Sequence, residues 1–155
     1  MHLIVYVSEC EIPAAGLQGA LESIAESSCS HNDAAGITGV LLCEYHHFLQ
    51  VLEGEETALR ALMQRIERDP RHRDIVVLVD REIEGRAFPD WSLEPFFIDN
   101  PGLLNASTLQ HLRDVYLEHC DLNAGDLVSF LKRIVDEIDD FMILRKSDRT
   151  KNLPP

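Results

Sequence analysis

The chain has 155 residues and a mass of 17.6 kDa, enough for one domain with a real core plus a small helical appendage. Fourteen Lys and Arg stand against 27 Asp and Glu, a net charge of −13. That balance argues against nucleic acid or an anionic membrane surface as partner, because both are held by neutralising their anions with Lys and Arg. No apolar run approaches a membrane span, and Met-His-Leu-Ile-Val-Tyr has no basic segment ahead of an apolar stretch, so a cytoplasmic protein is expected. Cys10, Cys29, Cys43 and Cys120 are scattered without a Cys-x-x-Cys pair and are expected as reduced thiols.

Leu3 to Val7 reads as a first strand, and Glu11 to Gly16 as a loop in which Pro13 blocks regular structure. Leu17, Leu21, Ile24 and Ala25 recur at helical spacing, so a helix is expected from Leu17 to about Cys29. The polar stretch Ser27 to Asp33 looks like the turn that ends it. Two apolar runs follow, Ile37 to Leu42 and Phe48 to Leu52, around a polar break at Glu44 to His47. Their length and bounding glycines predict a β-hairpin. Its near-continuous apolarity predicts cover on both faces, and so a central position in a sheet.

After Gly54, Glu55 and Glu56 suit a helix N-terminus. The stripe Leu59, Leu62, Met63, Ile66 carries that helix to a stop before Pro70. Asp74 to Val79 is a β-branched strand, Glu84-Gly85 a turn, and Phe96 to Ile98 a last strand. The order β-α-β-β-α-β-β is the split βαβ arrangement of an α+β, ferredoxin-like fold: one sheet with two helices on one face. Beyond Pro101 the stripes Leu109 to Tyr116 and Leu127 to Phe141 predict two C-terminal helices, and the residues from Arg145 onward a frayed tail. The organisation expected is a domain over 1–100, a helical cap over 101–144 and a tail over 145–155.

One residue breaks the pattern of the hairpin. Gln50 carries an amide in the middle of the second apolar run, where buried donors and an acceptor need partners. The split arrangement makes strands one and three neighbours, which brings Tyr6 beside Gln50. The pair reads either as groups aimed at a ligand or as a core tyrosine satisfied by a glutamine. Asn32, with His31 and Asp33 just past the first helix, reads as a turn residue or as a ligand-directed amide. Arg65, Asp69, Arg71 and His72 cluster at the end of the second helix, as dipole partners or as groups facing an anion or a ring carbonyl. Trp91, the only tryptophan, is a core plug or a ligand neighbour. His46 and His47 point to opposite faces and cannot readily share a metal. Gly-x-Ser-x-Gly and a glycine-rich phosphate loop are both missing from the sequence.

Taken in order, these positions resemble one family. Tyr6 and Ser8 come first, followed by Asn32-Asp33-Ala34-Ala35-Gly36-Ile37-Thr38-Gly39-Val40-Leu41-Leu42 and Phe48-Leu49-Gln50-Val51-Leu52-Glu53-Gly54. Arg65-Ile66, Asp69, Arg71-His72 and Arg86-x-Phe88-x-x-Trp91-Ser92 complete a match over roughly residues 1 to 98 to the BLUF domains, the blue-light sensors using flavin. The resemblance implies a non-covalent flavin, FAD in most members, with FMN and riboflavin sharing the same ring. It implies that Ile24 and Ile66 sandwich the ring, and that Asn32 bonds its pyrimidine edge with His31 or Arg71. Ser28, Arg65, Asp69 and His72 would be further contacts, and Gln50 would face the ring's reactive edge with Tyr6 beside it. Tyr6, Gln50, Ser8, Trp91 and Leu93 form the implied photoactive set.

Leu93 stands where the family commonly has methionine, and leucine lacks the thioether's acceptor and flexibility. Dark recovery and output coupling are therefore expected to differ from Met-bearing relatives. The implied function is a blue-light photoreceptor, not an enzyme. Its output would go to a separate signalling protein, such as a cyclic-dinucleotide enzyme or a response-regulator-like protein, with homo-oligomer formation expected. The readings set against it are a ferredoxin-like regulatory domain without flavin and a flavin-dependent redox enzyme.

Overall fold

The computed structural model describes residues 1–44, 46–89, 92–97 and 142–143. Strand β1 (His2–Cys10) leads through a 3₁₀ turn at Ala14–Gly16 into helix α1 (Leu17–Ala35). Strands β2 (Thr38–Glu44) and β3 (His47–Gly54) form the hairpin, followed by α2 (Glu56–Ile66), β4 (His72–Glu82), β5 (Ser92–Phe97) and β6 (Met142–Ile143). The sheet order is β4-β1-β3-β2-β5-β6. β1 is antiparallel to both β3 and β4, and β5 runs parallel to β2. This is the expected α+β split arrangement, with the hairpin at the centre of the sheet.

Both faces of the central strands are buried, which is why their sequences do not alternate. On one face Ile4, Tyr6, Leu41, Phe48 and Leu52 pack with Leu17 and Leu21 of α1 and with Leu59 and Met63 of α2. On the other, Leu3, Val5, Val7, Val40, Leu42, Leu49 and Val51 are each no more than 1% exposed. Burying such a side chain is worth about 1.5–3 kcal/mol in transfer free energy, so the sheet is the main source of stability.

Gly39 is the tightest point of the hairpin. Its φ of 152° and its place against Val51 leave no room for a side chain: a Cβ there would sit 1.9 Å from the Val51 carbonyl oxygen. Because the obstacle is backbone, it cannot turn aside. Gly39→Ala is expected to cost about 3 kcal/mol or more, read as a fall in the denaturation midpoint.

Helix α1 differs from expectation. Ser27 to Asp33 do not end it; they are its last two turns, and Asn32 lies inside the helix instead of beyond it. The hydroxyls are satisfied along the helix, Ser27 Oγ donating to the Ile24 carbonyl at 3.1 Å and Ser30 Oγ to that of Ser27 at 3.2 Å. The true stop is Gly36, a left-handed cap at φ 64° whose N–H reaches the Asn32 and Asp33 carbonyls. β5 begins at Ser92, earlier than the Phe96 expected. The expected helical cap, the tail and the stripes from Leu109 onward fall outside the described residues. Only Met142–Ile143 is described there, and it pairs with β5 as a strand where the end of the cap was expected helical: Phe96 faces Ile143, and Phe97 faces Met142.

Candidate functional site

Tyr6 and Gln50 are direct cross-strand partners in the β1–β3 register. Residues of equal parity on a strand share a face, so both side chains rise on the helix side among Ile4, Phe48 and Leu52. The Tyr6 O–H donates to Gln50 Oε1, and the two residues are 2% and 4% exposed. The bond uses one carbonyl lone pair of the amide. Gln50 Nε2 keeps both its donors and has no hydrogen-bond partner among the described residues, while the side chain lines a cleft between α1 and α2.

Burial, reinforced by the negative charge of Asp69, pushes the Tyr6 phenol well above its ordinary value of 10.0. The sign follows from linkage. Below pH 10 the phenol is neutral whether the chain is folded or unfolded; above it the unfolded chain ionises and the folded one does not. Between pH 10 and about 12 Tyr6 should therefore remove roughly 1.4 kcal/mol of stability per pH unit. Denaturation midpoints across that window should fall more steeply in wild type than in Tyr6→Phe, by that contribution.

The cleft floor is Tyr6, Leu41, Phe48 and Gln50, and its walls are Ile24 on α1 and Leu62 and Ile66 on α2. Ser28, His31 and Asn32 also line it, as do Arg65, Asp69, Arg71 and His72 at the opposite rim. Sequence reasoning missed Leu41, Phe48, Ser27 and Leu62 as lining residues. Periodicity carried the signal for two of them: Phe48 lies two residues before Gln50 on the same strand face, and Leu62 one helical turn before Ile66.

The polar groups in the cleft differ in what they have left to offer. Asn32 is 3% exposed, and its Nδ2 has no hydrogen-bond partner among the described residues. An orphan donor in such a position is costly in a finished structure and points to a missing acceptor. Arg65 is exposed and has no ion-pair partner among the described residues. Arg71 is spent on Asp69: its Nε reaches both carboxylate oxygens, at 2.8 and 2.9 Å, and its backbone N–H reaches Oδ1 at 3.0 Å. These bonds hold the Asp69 carboxyl below its usual range and push the guanidinium of Arg71 up.

His72 is also engaged, and at both nitrogens. Nε2 lies 2.9 Å from the Ile66 carbonyl, an acceptor only, so Nε2 carries the proton. In the neutral ring Nδ1 then accepts from the Ser8 hydroxyl at 2.8 Å. His72 thus ties β1 to the end of α2 with its ring 6.2 Å from that of Tyr6 and edge-on to Phe48. Ser8 sits behind this ring and does not line the cleft. Trp91 lies outside the described residues, and Leu93 is placed only as part of β5. Among the described residues no group of His, Cys, Asp or Glu could hold a metal, and no helix is long and apolar enough to cross a membrane.

The site is thus a buried, hydrogen-bonded Tyr–Gln pair on a split βαβ sheet, under a two-helix cleft. The family model for sensors of blue-light using FAD matches residues 1–94, and the chain belongs to that family, BLUF. It is 31% identical over 100 residues to the photoactivated adenylate cyclase subunit alpha of Euglena gracilis, an alignment covering 64% of this chain and 10% of that one. The chain therefore spans about a tenth of the length of the cyclase subunits it matches. The dark-state structure of BlrB, a BLUF protein, superposes with a TM-score of 0.65 at 30% identity, covering 86% of this chain and 93% of that one. Klebsiella pneumoniae BlrP1 with FMN and cyclic diGMP matches with a TM-score of 0.55 at 34% identity, over 63% of this chain and 25% of that one. The domain is thus a blue-light sensor of the flavin-binding kind.

Proposed function

We propose that this chain is a blue-light photoreceptor that holds FAD in the cleft between α1 and α2 and signals to a separate protein. The observation that carries the reading is the buried Tyr6–Gln50 hydrogen bond in a cleft also lined by Asn32, whose Nδ2 has no hydrogen-bond partner among the described residues. Ile24 and Ile66 supply flat apolar walls for the two faces of an isoalloxazine. Asn32 Nδ2 would donate to a carbonyl on the ring's pyrimidine edge, with His31 nearby. Ser28 and Arg65 would serve the ribityl and phosphate end, where a free guanidinium suits an anion. Arg71 would act with Asp69 as a neutral pair, and His72 through its ring.

When bound, the flavin absorbs blue light and in its excited state is a strong one-electron oxidant. Tyr6 is the electron donor. Its phenol becomes strongly acidic on losing an electron, and the proton has one formed path, along the existing bond to Gln50 Oε1. Gln50 can answer because its amide both donates and accepts. Turned end for end, it would still satisfy Tyr6, since a phenol oxygen also accepts. Two arrangements of similar internal energy are what a switch requires, and the output is a changed hydrogen-bond pattern, not a turnover.

The partner in trans would be a cyclic-dinucleotide enzyme or a response-regulator-like protein; the structure of the relative BlrP1 with FMN and cyclic diGMP supports the first. Self-assembly into a homo-oligomer is the other outlet. Cys10 and Cys43, free thiols among the described residues, support a cytoplasmic setting. The test is to load the purified chain with FAD and, separately, FMN and record absorption in the dark and under blue light. A reversible red shift, with tighter retention of FAD, is expected. Bound flavin without a shift would overturn the reading.

A further inference from the structure

Glu53 is a carboxylate only 1% exposed, on the strand that carries Gln50 but on the opposite face. Its Oε1 accepts the Ala87 N–H at 2.8 Å, and its Oε2 accepts that of Phe88 at 3.0 Å. A buried carboxylate has to be compensated, and here two consecutive backbone amides do it, one per oxygen. Arg86, the next residue back, reaches three elements. Its Nη2 donates to the Gly36 carbonyl at 2.5 Å; its Nη1 donates to Thr38 Oγ1 at 2.6 Å and to the Glu53 carbonyl at 3.1 Å.

The stretch 86–88 is thereby fastened to the C-terminal cap of α1, to the start of β2 and to the end of β3. Those anchors continue directly into the cleft. Gly36 caps the turn that contains Asn32, and Ile37 N–H bonds the Asn32 carbonyl at 2.8 Å. Glu53 is three residues along β3 from Gln50. On the other side, the stretch runs on toward β5, which joins the sheet beside β2 and pairs with β6. None of the five bonds involves a cleft residue's side chain, so the clasp is not part of the flavin pocket. A shift of β3 or of the last turn of α1 must carry 86–88 with it, or leave a buried charge unpaired.

We propose that Glu53 and Arg86 are positioning residues that couple the Gln50 and Asn32 edge of the cleft to β5, so that rearrangement at the flavin edge reaches the β5–β6 side of the sheet through this clasp. The inference rests on the photoreceptor reading above. The two-state element in this coupling is the Gln50 amide, and the clasp is the contiguous hydrogen-bonded network that would carry its rearrangement.

The experiment is amide hydrogen exchange by mass spectrometry on the flavin-loaded full chain, in the dark and under continuous blue light, for wild type, Glu53→Gln and Arg86→Lys. Glutamine keeps the shape of Glu53 but turns one acceptor into a donor facing an N–H. Lysine keeps the charge of Arg86 but loses the fork. Wild type is expected to show a light-dependent change in exchange over residues 92–97. Both variants should keep bound flavin and the red shift, while that change shrinks by about threefold or more. A purely structural role would lower stability without separating the red shift from the exchange response.

Should Glu53→Gln not fold, Arg86→Lys and Thr38→Val, which leave the buried carboxylate and its two amides intact, decide between the clasp and its absence. A red-shifting wild type without a light response at 92–97, or variants with an undiminished response, would overturn the clasp alone. A flavin-loaded wild type with no red shift would overturn the photoreceptor reading, and the clasp with it.

Discussion

Tyr6→Phe should bind flavin about as well as wild type and lose the blue-light red shift, its amplitude falling by about tenfold or more. The substitution removes a single oxygen. The ring stays packed in the core cluster and beside His72, so the cleft keeps its shape. The cost is an unpaired Gln50 Oε1 in a nearly closed site, about 1–3 kcal/mol of stability. What disappears is the donor: phenylalanine is far harder to oxidise and has no proton to release. The check is the light-minus-dark spectrum, with flavin fluorescence beside it, which should rise as the quenching donor is lost. A full shift in Tyr6→Phe would remove Tyr6 from the electron-donor role.

Asn32→Ala should do the reverse, weakening the flavin Kd by about ten- to hundredfold while leaving the flavin-free fold nearly as stable as wild type. A hydrogen bond to a buried carbonyl is worth about that much when nothing else in the protein uses the donor. Asn32 Nδ2 has no partner among the described residues, so truncation orphans nothing there. The cap depends on the Asn32 backbone carbonyl, which alanine keeps, and alanine is the better helix former. Flavin titration and apo-protein melting separate the two effects. Unchanged affinity would sink the role of Asn32; a large fall in apo stability would make it a structural residue.

The Tyr6–Gln50 pair could be anticipated because its signal is strong and local. An amide in a run of apolar strand residues has to meet something, and the β-α-β-β order forces strands one and three together. Helical spacing put Ile24, Leu62 and Ile66 on apolar stripes, but only the family resemblance singled out Ile24 and Ile66 as walls, and Leu62 was missed. Asn32 was harder. A run of Ser, Cys, His and Asn reads as a turn by composition, yet helical hydroxyls can bond back along their own helix, so the chain stays helical to Gly36. The double engagement of His72, the closing of Arg71 onto Asp69 and the grip of Glu53 on Ala87 and Phe88 depend on which backbone groups meet in space. No spacing in the sequence encodes those meetings. Glu53 in particular figured in the sequence only as part of the Phe48-to-Gly54 match.

Isotope-edited infrared spectroscopy reaches the Gln50 amide itself. Flavin-loaded protein carrying labelled glutamine is compared in the dark and under blue light, with Gln50→Leu used to assign the band. If Tyr6 and Gln50 form the switch, the side-chain amide mode of Gln50 shifts on illumination, returns in the dark with the recovery of the visible spectrum, and is missing from the variant. A visible red shift accompanied by an unmoved Gln50 band would contradict that claim.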